Sequence, residues 1–375
     1  MNEVQVHVAR RLAFLMAVSI LLAGSFAAGA EKTGSAKVLL DVPNQRLLVS
    51  TAGGKGYLPL WAVIQGRSVD LALVHPEVTR AVVVIHGGSR NSGRTEGIVD
   101  RAIHDSGERN WNTLLIAPAF LNEIDAAINR LPEEDLRWKQ GAWQDGENAR
   151  NLPVSSFDGL DAILERLSNH ILLPNLRTVV LVGSGGGGLM VQHYAVIGRG
   201  GDALVHHGIH LRYVIVQPSS YLYFSSERPV LESTGVFDFA VPARECSGDN
   251  NRWRYGVADP PPYAADADFA AMEQKYIRRE VIYLLGTESL DPKESSFDPS
   301  CAGEDQGPNR FYRGKAYFRY LENRHPQLAA ESASQQLWYV PGVGSDSYKM
   351  LTSDCGTAAL FDTGVCATRT LDPRP

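Results

Sequence analysis

Six short apolar runs punctuate the chain, each ended by glycine or proline. They are Ala81–Ile85, Thr113–Ile116, Thr178–Val182, Tyr213–Val216, Val281–Leu285 and Leu337–Val340. They are too short for helices and rich in β-branched residues, and no polar position alternates within them. That pattern predicts strands buried on both faces. Between them the apolar positions recur at helical spacing. In Phe157–Ser168, for instance, Leu160, Ile163, Leu164 and Leu167 form one stripe. Strands alternating with helices predict a mostly parallel, doubly wound α/β sheet. The stretch 242–276, rich in Pro, Asn and Asp where it begins, reads as a cap or lid inserted above that sheet. No internal repeat or low-complexity tract interrupts the pattern.

The N-terminus follows another rule. Arg10 and Arg11 precede an apolar stretch, Leu12–Ala23, and Ala28-Gly29-Ala30 follows it as a small-residue cleavage site. This is the layout of a secretory signal peptide over residues 1–30, leaving a mature domain of 31–375. An uncleaved anchor is the alternative, but Ser19, Gly24, Ser25 and Gly29 interrupt the stretch, and no later one is long enough to span a bilayer. The expected location is secreted or periplasmic. The four cysteines, Cys246, Cys301, Cys355 and Cys366, suit an oxidising compartment. Three pairings are possible, and short sequence separation favours 355–366 with 246–301. No C-x-x-C spacing suggests zinc. The net charge of −6, without a Lys/Arg stripe, speaks against nucleic-acid binding.

Ligands of such sheets sit at the C-terminal strand ends, and the unusual residues cluster there. After the third run comes Gly183-Ser184-Gly185-Gly186-Gly187-Gly188, then a helical pattern through Met190, Val191 and Tyr194. Strand, sharp glycine turn and helix make the layout of a nucleophile elbow. Gly183, Gly185 and Gly188 also satisfy the dinucleotide-binding spacing, but Gln217-Pro218 ends the next strand where an acid is required, so no nucleotide cofactor is expected. His206, His207 and His210 lack a nearby carboxylate ligand and read as a solvated loop, with no metal expected. Trp138, Trp143, Trp253 and Tyr255 flank the cap and suit either cap packing or a binding cleft.

The loop HGGSRN at His86–Asn91, NLRTVVLVG at Asn175–Gly183, PSSYLY at Pro218–Tyr223, YLLG at Tyr283–Gly286, QGPNR at Gln306–Arg310 and VPGVG at Val340–Gly344 together resemble a family of secreted bacterial and fungal α/β hydrolases, serine esterase-like in their motifs. The resemblance covers about Ala81–Phe361. It implies the α/β-hydrolase fold and a Ser-Asp-His triad, with oxyanion-hole donors at Gly186 and at Gly88 or Ser89.

The triad positions depart from that pattern. The family's elbow reads G-H-S-A-G-G, and its nucleophile slot here is Gly185. Its acid slot, after YLLG, is Ser289, and its base slot, after VPGVG, is Ser345. Ser184 as a fallback nucleophile sits one residue early. Asp291 or Glu288 is a fallback acid. No histidine follows the last strand, since the last one is His325, and His86 and His193 would have to fold into reach. A serine without a base is a poor nucleophile. The sequence therefore predicts a pseudo-hydrolase with a pocket for a small ester or carboxylate. The alternative is an active serine hydrolase using Ser184 or a displaced base.

Overall fold

The computed structural model describes residues 40–366, except 44, 108–109, 232–236, 244–248, 295 and 330–333. The chain divides at Leu39, and the expected signal peptide, 1–30, lies outside the described residues. The sheet and its helices belong to the unit that starts at Leu40.

Its strands are β1 (Gln45–Thr51), β2 (Gly54–Ile64), β3 (Arg67–Ser68), β4 (Arg80–Ile85), β5 (Thr113–Pro118), β6 (Thr178–Ser184), β7 (His210–Val216), β8 (Arg228–Leu231), β9 (Phe237–Ala240), β10 (Glu280–Gly286) and β11 (Gln335–Val340). The main sheet runs β1-β2-β5-β4-β6-β7-β10-β11, with β3 hairpinned onto β2. From β5 to β11 every pairing is parallel, while β1 and β2 join antiparallel at one edge. All six predicted runs are strands of this sheet. The β1–β2 edge and the small β8–β9 hairpin lie outside those six runs.

Successive residues of the central strands face opposite cores, as a pleated strand requires. Val83, Ile85, Leu181, Ile215 and Tyr283 belong to one core. It is closed by α3 (Ser156–Leu167), α4 (Gly186–Ile197) and α8 (Arg310–Arg324). Val82, Val84, Val182, Val216 and Leu284 belong to the other, closed by α1 (Ser92–Asp105), α9 (Ser347–Leu351) and α10 (Asp354–Phe361). The chain also forms α2 (Glu123–Asn129), α5 (Gly201–His206), α6 (Phe269–Tyr276) and α7 (Cys301–Glu304). The helical stripe predicted at 157–168 is α3, capped by a reciprocal Ser155–Asp158 box.

Within 242–276 the described residues form two short 3₁₀ turns, Asp249–Asn251 and Pro262–Ala264, followed by α6. Among the described residues no helix is long and apolar enough to cross a membrane. Cys355 and Cys366 are joined by a disulfide with Cα atoms 4.4 Å apart. Cys301 is disulfide-bonded as well, while Cys246, its expected partner, lies outside the described residues.

Candidate functional site

The β6–α4 turn is built on contacts that only glycine permits. A Cβ on Gly183 would stand 2.3 Å from the Gly187 carbonyl group, one on Gly187 2.3 Å from Ile85 O, and one on Gly188 2.7 Å from Val216 O. These are backbone atoms that cannot swing aside, so strand and helix meet at van der Waals contact. Turn geometry and packing thus account for the glycines that also fit the dinucleotide spacing. Gly185 differs from its neighbours. It holds φ 57°, ψ −114°, a strained conformation for any side-chain-bearing residue, yet a Cβ there would meet nothing within 4 Å. Open space and strain at the turn are what a nucleophile elbow provides, and here no side chain fills the space.

Ser184, one residue earlier, closes β6 and is nearly buried. Its Oγ accepts a hydrogen bond from Ser347 Oγ at 2.8 Å. A neutral hydroxyl cannot take its proton, so the pair is structural.

Gly88 stands opposite Gly186. The Gly88 loop is pinned by Arg90, which adopts φ 60°, donates from Nη1 to Gly88 O at 3.2 Å, and binds both carboxylate oxygens of Asp125 at 2.5 and 3.2 Å. A Cβ on Gly186 would lie 3.3 Å from Gly88 N and 2.7 Å from Gln144 Nε2. Ser89 is exposed. No acceptor among the described residues takes the Gly88 or Gly186 N–H.

The loops after β10 and β11 are zipped together, with Glu288 N donating to Val343 O at 2.9 Å and Gly342 N to Thr287 Oγ1 at 2.9 Å. Between them lies Gln217, the residue that directly follows β7. Its Oε1 accepts from Ser289 Oγ at 2.8 Å and from Gly286 N at 3.2 Å, and its Nε2 donates to Gly344 O at 2.8 Å. Its backbone holds φ 33°, stabilised by Arg310 Nη1 donating to Gln217 O at 3.0 Å. A neutral carboxamide therefore links the Ser289 loop to the Ser345 loop. Ser289 is buried and Ser345 is exposed. Asp291 is exposed and accepts from Lys293 N at 2.8 Å, and Glu288 is exposed too.

The histidines are committed elsewhere. His86 is fully buried, with Nδ1 donating to Gly87 O at 2.9 Å and Nε2 accepting from Phe120 N at 2.9 Å. Burial lowers its pKa to about 4. His193 is also fully buried, with its two nitrogens 3.2 and 3.1 Å from Gln144 O and Arg254 O, and burial lowers its pKa to about 4 as well. His325 pairs with Glu273 at 2.8 Å. His210 pairs with Glu280, and His206 and His207 are exposed. Among the described residues no group of three His, Cys, Asp or Glu is arranged to hold a metal.

Trp138 and Trp143 are packing residues, at most 1% exposed, and Phe120 stacks on Trp143. Trp253 donates to Asp145 O at 2.7 Å, and Tyr255 donates to Asp298 at 2.8 Å. Beside Gly88 opens a cleft of about 790 Å³, lined by Lys139, Gln140, Gln144, Asn148, Arg150 and Arg254 among others.

No protein-family model matches the sequence, and no curated protein matches it. Solved structures do resemble it. One is poly(aspartic acid) hydrolase-1 from Sphingomonas sp. KT-1, at TM-score 0.51 and 17% identity over 82% of this chain and 94% of that one. Another is the poly(3-hydroxybutyrate) depolymerase LpqC from Bordetella parapertussis, at TM-score 0.52 and 18% identity over 85% of this chain and 90% of that one. Identity so low speaks for shared architecture alone. With its strand order and these neighbours, the chain has the α/β-hydrolase fold.

Proposed function

We propose that this is an exported, non-catalytic member of the hydrolase scaffold that binds a small ester or carboxylate. Gly185, Ser289 and Ser345 stand at the nucleophile, acid and base positions, and the oxyanion donors of Gly88 and Gly186 are retained. The observation that carries the proposal is the wiring of those positions. Gly185 offers no nucleophile. Ser289 is held by an amide. Ser184 meets only another serine among the described residues. Removing a triad typically leaves ~10³–10⁴-fold catalysis over water, from oxyanion donors and binding. That remnant is compatible with ligand binding and negligible turnover. Export is supported by the N-terminal pattern and by the Cys355–Cys366 disulfide.

Restoring the three side chains tests the assignment. Gly185→Ser has open space for its Oγ. Ser289→Asp places a carboxylate against Gln217 Oε1, so the amide must turn over and present Nε2, giving up Gly344 O. That rearrangement should cost about 1–3 kcal/mol in the S289D single variant, read by urea unfolding. The triple variant G185S/S289D/S345H should hydrolyse short p-nitrophenyl esters above background, and no single variant should, because triad members act as a unit. A folded triple variant that is inert across an ester panel would contradict the assignment of these positions.

A further inference from the structure

A second cleft opens at the other end of the sheet. It holds about 800 Å³, and His210 and Glu280, which begin β7 and β10, line it. In the sheet Ser184 pairs with Val216, six steps along β7 from His210. At ~3.3 Å per step the cleft lies about 20 Å from the elbow. It sits at the strand ends opposite those where ligands of such sheets are bound.

The exposed surface of this cleft is mostly apolar. Val205 of α5 lines it while 66% exposed. Leu211 and Tyr213, also in the lining, join the core behind it. A concave apolar surface left in water gains when an apolar group covers it.

The charges of the lining are almost all spent. Lys275 pairs with Asp202 at 2.7 Å. Glu280 is held by Arg212 at 2.7 Å and by His210. Arg279 donates to Tyr194 O, Ala195 O and Gly198 O at the C-terminal end of α4, where the helix dipole presents negative charge. His206 is exposed at the rim. Arg278 remains. It is exposed and has no acidic partner among the described residues. An apolar hollow with one unspent guanidinium complements a molecule with an apolar body and one anionic head. A carboxylate matches the guanidinium fork with two parallel hydrogen bonds.

We propose that this cleft is a second ligand site and takes a small amphipathic acid, its alkyl chain against Val205 and Leu211 and its carboxylate on Arg278. The site is separate from the pocket at the elbow, and its occupancy does not depend on whether that pocket turns over an ester.

The test is calorimetric titration of the purified protein with octanoate, acetate, octanamide and octylammonium. It is run at about pH 8, so that imidazole charge plays no part. Octanoate should bind at least tenfold more tightly than acetate, which lacks the apolar body. It should bind at least fivefold more tightly than octanamide, which lacks the charge, and octylammonium should not bind. Arg278→Gln should bring octanoate down to the level of octanamide, and Val205→Asp should weaken octanoate at least tenfold. Val241→Asp, at an exposed apolar residue outside the lining, should change nothing. All three side chains are exposed, so each variant should keep the parent melting temperature. Absence of octanoate binding, equal binding of octylammonium, or binding that Arg278→Gln and Val205→Asp both leave intact would overturn the inference. The last of these would seat octanoate elsewhere and leave the reading of the elbow untouched. Sedimentation with phosphatidylglycerol vesicles without any response to free octanoate would also overturn it, because the occupant would then be a membrane surface. Ester hydrolysis by the unmutated protein would instead overturn the reading of the elbow, while the titration would still decide this site.

Discussion

Gly185 and Gly187 are two residues apart, yet substitution should affect them for opposite reasons. A Cβ on Gly187 collides with backbone at Ile85 O, and neither strand nor helix can retreat without opening both cores. Gly187→Ala should therefore lose the larger amount, about 3 kcal/mol or more, by overpacking. Gly185→Ala meets no atom and pays only for its strained positive-φ backbone, about 1–2 kcal/mol. Urea midpoints of the two variants check this, and equal losses would mean the elbow is not packed as described. The glycines themselves were plain in the sequence, as were the three departures from the triad pattern. Gln217 was not. It sits in no motif, and it becomes significant only when folding brings its amide to 2.8 Å from both a serine hydroxyl and a carbonyl of distant loops. Gln217 Oε1 and Ser289 Oγ, for example, are 2.8 Å apart across 72 positions of sequence.

Among the elements, the parallel strands were legible because burial on both faces forces uninterrupted apolar runs. β1 escaped because it alternates: Leu47 and Val49 are buried while Leu48 is exposed. β2 carries an apolar run, Tyr57–Ile64, but Pro59 inside it argues against a central strand. The turn at Ala52-Gly53 is the local signature of the pair. Another property of the elements is how β4 and β5 are tied at their C-terminal ends. His86, just past β4, bridges to Phe120, just past β5, as a neutral imidazole. Burial lowers its pKa to about 4, below the ordinary 6.5. The unfolded chain thus binds a proton between those values and the folded one does not, so this contribution to stability is lost as pH falls from 6.5 towards 4. Glu96 acts in the opposite direction, because burial raises its pKa to about 7. Comparison with a His86→Gln variant cancels that term. The stability difference between the two proteins should shrink by about 2 kcal/mol between pH 7 and pH 5. A difference independent of pH would show that His86 titrates normally.

At the scale of the molecule, the motifs that carried the resemblance prove to be mutual fasteners. Gln306 of QGPNR brackets Tyr221 of PSSYLY with a pair of 2.8 Å hydrogen bonds, and Arg310 holds the Gln217 carbonyl just before that segment. Gln217 in turn ties YLLG to VPGVG. Sequence patterns of this kind report an architecture that holds loops at the strand ends, and they say little about what those loops do. That is why the fold could be read from sequence while the ligand could not. The claim that the scaffold binds without catalysing is tested most directly by incubating the purified protein with a serine-directed fluorophosphonate and measuring its intact mass. Only a serine activated by an adjacent base attacks the probe, and Ser184 is hydrogen-bonded by the hydroxyl of Ser347. The account predicts an unchanged mass after prolonged exposure, and stoichiometric addition of one probe at Ser184 would contradict it.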